Sequence, residues 1–237
     1  MELMNFDDDQ YKKYASEFAK IDIEGTDYLA FRDMGELLSR YANANRALDY
    51  GCGTGRSTRF LKRLGFDTVG IDHTQNMLQQ AKLKDDQGEY LHIKSHLPFR
   101  DSLFDIIFFC FVLVAVSSKG EMKNILLDAK RVLKEEGIMV IVVTASESYQ
   151  GKWASWFFDF SENKTTLASG NKVKIIFRGT NVVLFDYYWT DDDYRQIFND
   201  VGLKILKTHR PLGRDDDPFE WLDETIISPI IIYILGK

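Results

Sequence analysis

The segment ALDYGCGTG at residues 47–55 carries glycines at 51, 53 and 55, with Asp49 two residues before the first and Asp72 seventeen beyond the last. Three positions without Cβ atoms at the end of an apolar run let a ligand lie directly against the backbone. A helix starting after such a turn presents free N–H groups and a positive dipole end, suited to an anionic group. Asp72, at the end of the next apolar run, is placed to accept hydrogen bonds from two ribose hydroxyls, and is expected to face solvent without a ligand. A turn that binds nothing has no use for the distal acid. Two ligand classes remain. A dinucleotide site expects glycine where Arg56 stands and leaves Asp49 unexplained. S-adenosyl-L-methionine (SAM) has an ammonium group that a carboxylate two residues before the first glycine can hold, directly or through water.

Other reactive residue types are arranged less informatively. Cys52 and Cys110 lack metal-ligand spacing, and no metal is expected. Asp191-Asp192-Asp193 reads as the acidic first turn of a helix, with Thr190 as cap and Asp193 closing a capping box, in preference to a metal cluster. Asp215-Asp216-Asp217 reads as a solvated loop. His92, His96 and His209 are given structural roles ahead of general-base roles.

The elements that must position the glycine turn follow from the apolar pattern. Tyr11, Tyr14, Phe18 and Ile21 mark one amphipathic helix, and Tyr28, Phe31, Met34, Leu38 and Tyr41 a second, with Thr26 as its N-cap. Strands are expected at 47–50, 68–71, 90–94, 104–113 and 138–144, alternating with helices. Gly65 is expected to cap the first of these helices and Thr74 to start the next. FDIIFFCFVL is apolar throughout, as a central strand buried on both faces requires. Such alternation implies right-handed crossovers and a parallel sheet, hence an α/β fold. After Thr144 the alternation breaks. Residues 145–172 are rich in aromatics, including Phe160, and 173–177 with 182–188 reads as a β-hairpin. A helix from Thr190 and strands at 203–208 and 230–235 close the chain. The expected organisation is a single domain over 1–237, with a helical N-terminal segment, 1–45, and an aromatic-rich insertion, 145–189.

A chain of 237 residues with 45% hydrophobic and 28% charged residues buries an ordinary core. A net charge of −6 argues against broad phosphate binding, so no nucleic-acid partner is expected. The acidic N-terminus has no apolar signal region. The longest apolar stretch, IISPIIIYIL, is too short to span a bilayer, so no membrane partner is expected and a cytoplasmic location is the simplest reading.

The motifs together resemble those of a family. ALDYGCGTGRSTRFL is similar to motif I of the class I SAM-dependent methyltransferases, of the methyltransferase type 11-like kind, and VGIDHTQNML to their acidic second motif. LPFRDSLFDIIFFCFVL, LLDAKRVLKEEGIMVIVV and DYYWTDDDYRQIFNDVGLKIL resemble later segments of the same family, in order, over roughly residues 11–237. The resemblance implies a Rossmann-like, seven-stranded sheet of order 3-2-1-4-5-7-6 with the last strand antiparallel. It implies that Gly51, Cys52 and Gly53 contact the methionine part of SAM, that Asp49 holds its ammonium, and that Asp72 binds the ribose. His73 and Met77 would flank the adenine, Cys110 and Phe111 would offer backbone groups, and Lys94 or Ser95 would contact the adenine where relatives carry an acid. Relatives close an N-terminal helix over the cofactor, which makes Tyr11 and Tyr14 the candidates for contact with the reacting centre and 1–45 a lid bearing Phe31. For the acceptor, the candidates are Tyr14, Phe31, Trp153, Trp156 and Tyr188, with the insertion as cap; the insertion's aromatics would otherwise be core under the hairpin, and Tyr11 and Tyr14 the apolar stripe of their helix. The expected activity is direct transfer of a methyl group to O, N or C of a small apolar or aromatic molecule. A protein acceptor, a non-catalytic SAM or S-adenosylhomocysteine binder, and more distantly a nicotinamide-dependent enzyme are the alternatives.

Overall fold

The computed structural model describes residues 8–158 and 166–237; Phe160 and residues 1–7 lie outside them. Seven strands form one sheet in the order β3-β2-β1-β4-β5-β10-β9. They are β1 Arg46–Tyr50, β2 Asp67–Asp72, β3 Glu89–His92, β4 Phe104–Cys110, β5 Leu133–Thr144, β9 Lys204–His209 and β10 Ile230–Gly236. β1 to β5 pair in parallel, and β10 runs antiparallel to both its neighbours. This is the expected α/β architecture. The unbroken apolar runs are explained by burial on both faces. In β4, Ile107 and Phe109 pack into one core layer and Ile106 and Phe108 into the other; β5 and β10 divide their residues in the same way.

Helices α3 (Arg56–Arg63), α4 (Gln75–Lys84) and α5 (Lys119–Val132) are the crossovers, and α6 (Asp191–Asp200) precedes β9. Gly65, at φ +92°, takes the left-handed position just after α3. Thr190 and Asp193 form the expected capping box at the start of α6, so this aspartate run is a helix start.

Two expectations fail at the N-terminus. The apolar repeat from Tyr28 to Tyr41 is not one helix; it divides into a 3-10 turn, Gly25–Ala30, and α2, Met34–Tyr41. Thr26 is no N-cap, because its hydroxyl donates to buried Glu224 at 2.6 Å. Glu224 also accepts from the backbone N–H of Ala154 at 2.7 Å, which fastens this turn to the insertion. The other N-terminal helix, α1, is Asp8–Phe18.

The insertion holds one strand more than the hairpin. β6 (Trp156–Phe158), β7 (Lys172–Phe177) and β8 (Val183–Tyr187) form an antiparallel sheet. Register pairs Trp156 with Phe177, Ile175 with Leu184, and Val173 with Asp186. Paired and alternate residues share a face. Trp156, Phe158, Val173, Ile175, Phe177, Leu184 and Asp186 therefore form the inner face of this small sheet.

Candidate functional site

The carboxyl ends of β1, β2 and β4 open onto a cavity of about 590 Å³, a volume that accommodates a small ligand. The turn after β1 shows why its glycines are needed. Gly51 has φ +70°, and a Cβ there would lie 2.6 Å from a Val112 methyl. Gly53 has φ +53° with open space where its Cβ would be, so the backbone itself forms the cavity wall. Asp72 does not face solvent: it is 6% exposed. Its carboxylate accepts from Gly53 N at 2.8 Å and Thr74 N at 2.7 Å, tying the turn to the start of α4. Asp72→Ala is therefore expected to have two effects. Loss of charge-assisted bonds of about 1.5–3 kcal/mol raises the SAM dissociation constant roughly tenfold to hundredfold, and two backbone N–H groups lose their partner. Calorimetry and a melting curve measure both; unchanged affinity would remove the ribose assignment.

Asp49 lies beneath the turn, fully buried, and is not on the cavity wall. Oδ2 accepts from Ser57 at 2.7 Å and Thr58 at 2.6 Å, while Oδ1 is buried without a partner. Burial, against the two hydroxyl bonds, pushes its carboxyl up to about 6. An orphaned carboxylate oxygen behind a glycine turn is an acceptor suited to a cationic group.

Gly51, Cys52, Gly53, Asp72, His73, Met77, Lys94, Cys110 and Phe111 all line the cavity, whereas Ser95 does not. Phe111 has φ +58°, a strained position for a bulky residue, at the turn where β4 ends in the cavity wall. Tyr11, with Lys12 and Phe18 of the N-terminal helix region, reaches the cavity; Tyr14 does not. Of the acceptor candidates, Trp156 alone lies on the wall. Phe31 is core, packed on Phe60 and Phe108. Trp153 is fully buried and donates to Ser148 O at 2.8 Å. Tyr188 packs edge-on against Tyr149, off the wall. Phe31 and Trp153 are core, and Tyr188 packs within the insertion.

The wall also holds residues that the sequence pattern did not single out: Arg56, paired with Asp27, Thr144, and above all Ile175, Phe177, Leu184 and Asp186 of the small sheet. Alternation along 173–177 and 182–186 carried the signal, for it puts an acid on an otherwise apolar face. Burial pushes the thiols of Cys52 and Cys110 up, which argues against either as a nucleophile. Among the described residues, no three His, Cys, Asp or Glu side chains are grouped to hold a metal ion, and no helix is long and apolar enough to cross a membrane.

A Rossmann-like sheet with a glycine turn after β1 and an acid ending β2 is an arrangement in which ribose-bearing cofactors are commonly held. The comparisons narrow this. Residues 48–141 match a family described as a methyltransferase domain. An uncharacterized protein of Methanocaldococcus jannaschii is 30% identical over 146 residues, 59% of this chain and 61% of its own. A demethylmenaquinone methyltransferase of Tropheryma whipplei is 39% identical over 97 residues, 40% of this chain and 39% of its own. The alignments thus span less than two thirds of these relatives. An S-adenosylmethionine-dependent methyltransferase structure from Clostridium acetobutylicum superposes with a TM-score of 0.64 at 18% identity, covering 95% of this chain and 98% of that one. A Pyrococcus horikoshii protein superposes with a TM-score of 0.67 at 17% identity, with the same coverage. Residues 48–141 thus match a methyltransferase domain, and the chain shares its fold with an S-adenosylmethionine-dependent methyltransferase.

Proposed function

We propose that the protein is a SAM-dependent methyltransferase acting on a small, apolar or aromatic acceptor. The observation that carries this reading is a single cavity with two unlike ends. One end has the glycine turn, Asp72, His73 and Met77; the other has Phe18, Phe111, Trp156, Ile175, Phe177 and Leu184. Asp49, behind the turn, would hold the cofactor's ammonium through water, Asp72 its ribose, and the Gly51–Gly53 backbone its methionine part, with His73, Met77 and Lys94 along the adenine. When bound, SAM supplies an electrophilic methyl group. The chain's own task is then to align the nucleophile and exclude water. The aromatic wall covers an apolar acceptor, and Tyr11, Lys12 and Phe18 close the cavity from the N-terminal side as a lid.

The family match ends at residue 141, before the insertion, so the acceptor end of the cavity, Phe111 apart, belongs to the part outside that match. Relatives carry names for unlike acceptors, demethylmenaquinone and malonyl-acyl-carrier protein, consistent with a shared cofactor half and a variable acceptor half. Calorimetric titration with SAM and, separately, NADH tests the reading. SAM is expected to bind and NADH not to; the reverse would overturn it. Transfer is expected to need no divalent metal. Loss of activity in EDTA, restored by Mg²⁺, would contradict that.

A further inference from the structure

Asp186 is a carboxylate in the wrong place for a structural role. It stands in β8 opposite Val173, on the inner face otherwise made by Trp156, Phe158, Ile175, Phe177 and Leu184. Its side chain lines the cavity, the residue is 7% exposed, and it makes no hydrogen bond or ion pair with any described residue. A buried charge with no partner costs stability, so a position that keeps one is suited to a ligand that completes it.

The surroundings specify that ligand. Phe18 meets Phe177 edge-on at 6.0 Å, Phe177 meets Trp156 at 6.2 Å, and Trp156 meets Phe111 at 6.3 Å. This aromatic run shares the cavity wall with Asp186, and the Trp156 indole N–H is itself buried without a partner. Aromatic faces together with a carboxylate favour an organic cation over a neutral or anionic group. We propose that Asp186 determines acceptor specificity by holding the amine of a small organic amine whose apolar part lies along the Phe18–Phe177–Trp156–Phe111 run. This rests on the methyltransferase reading and narrows its acceptor to an amine. Burial pushes the Asp186 carboxyl up to about 7, so it can also take the proton that an ammonium must lose before its nitrogen lone pair can form a bond to carbon.

The test uses the full chain saturated with S-adenosylhomocysteine, titrated calorimetrically with phenethylamine and with its neutral counterpart 2-phenylethanol. Wild type should bind the amine at least tenfold more tightly than the alcohol. Asp186→Asn should lose that preference while keeping its affinity for S-adenosylhomocysteine. Because the variant removes a buried charge without changing shape, its melting temperature at pH 8 should equal or exceed that of wild type. Equal binding of the two probes by wild type, binding of neither, a preference that survives in Asp186→Asn, or a variant markedly less stable than wild type would each overturn the proposal. Failure of wild type to bind S-adenosylhomocysteine would instead strike the methyltransferase reading.

Discussion

Trp153→Ala is expected to cost about 3–5 kcal/mol of stability and to leave SAM affinity intact in the protein that remains folded. Trp153 is fully enclosed, so truncation opens a cavity the surrounding layers cannot fill, and it also strips Ser148 O of its indole partner. Trp156→Ala should behave differently. One side of that indole already borders an open cavity and its N–H has no partner, so its removal deletes fewer contacts and no hydrogen bond. Its destabilisation should be about half as large, with the main effect falling on acceptor binding. Urea denaturation of the two single variants separates them. Equal losses would show that Trp156 is as much a core residue as Trp153.

The second large effect concerns pH. Asp186 and Asp49 are both raised by burial from the ordinary 3.8, to about 7 and about 6. The folded state therefore keeps these protons to higher pH than the unfolded chain does. Their contribution to stability is fully present below about pH 4 and is lost as pH rises through about 6 and then about 7. Two paired acids act oppositely. Although burial works against it, bonds from Arg32 and His209 hold Asp33 down to about 2, and bonds from Lys119 and Ser169 do the same for Asp193. The stability those pairs supply is present above about pH 4 and is lost as pH falls toward 2. The protein without cofactor should thus be most stable in mildly acidic solution and lose on the order of a few kcal/mol between pH 4 and 8. Melting curves across that range check it; stability that rises with pH from 5 to 8 would contradict it. SAM should raise the melting temperature more at pH 8 than at pH 5, because its ammonium favours the charged form of Asp49.

The sheet was legible because its signals are local and redundant. β4 and β5 are long apolar runs, α6 begins with a complete capping box, and the glycine turn carries both its acids. The proposed cofactor end of the cavity follows from the same residues, for a turn and the strand end beside it are neighbours by topology. The proposed acceptor end was not legible in that way. Trp153 and Trp156 differ by three positions and share composition, yet one is core and the other is wall. That distinction is set by how a three-stranded sheet lies on the domain, which depends on contacts far apart in sequence. Thr26 misled for a related reason. A Thr before an apolar repeat suits an N-cap, but buried Glu224, nearly two hundred residues away, takes its hydroxyl instead. Asp186 was legible as an acid in an alternating strand, and its meaning emerged only when the other residues of that face were seen to line the same cavity.

The side chain of Gln10 has a consequence for how the cavity opens. β8 is an edge strand of the small sheet, and the Gln10 amide meets its backbone at Phe185, accepting from the N–H at 2.8 Å and donating to the carbonyl at 3.2 Å. A single side chain from α1 thus does what a further strand would do at that position. Lifting α1 away from the entrance breaks both bonds, each worth about 1 kcal/mol net, and bares the backbone beside Asp186. With α1 as the proposed lid, the Phe185 amide is a built-in clock for the entrance. Its hydrogen-exchange rate counts openings of α1 directly, and a ligand that holds the helix down should slow that one amide more than its neighbours in the interior of the strand.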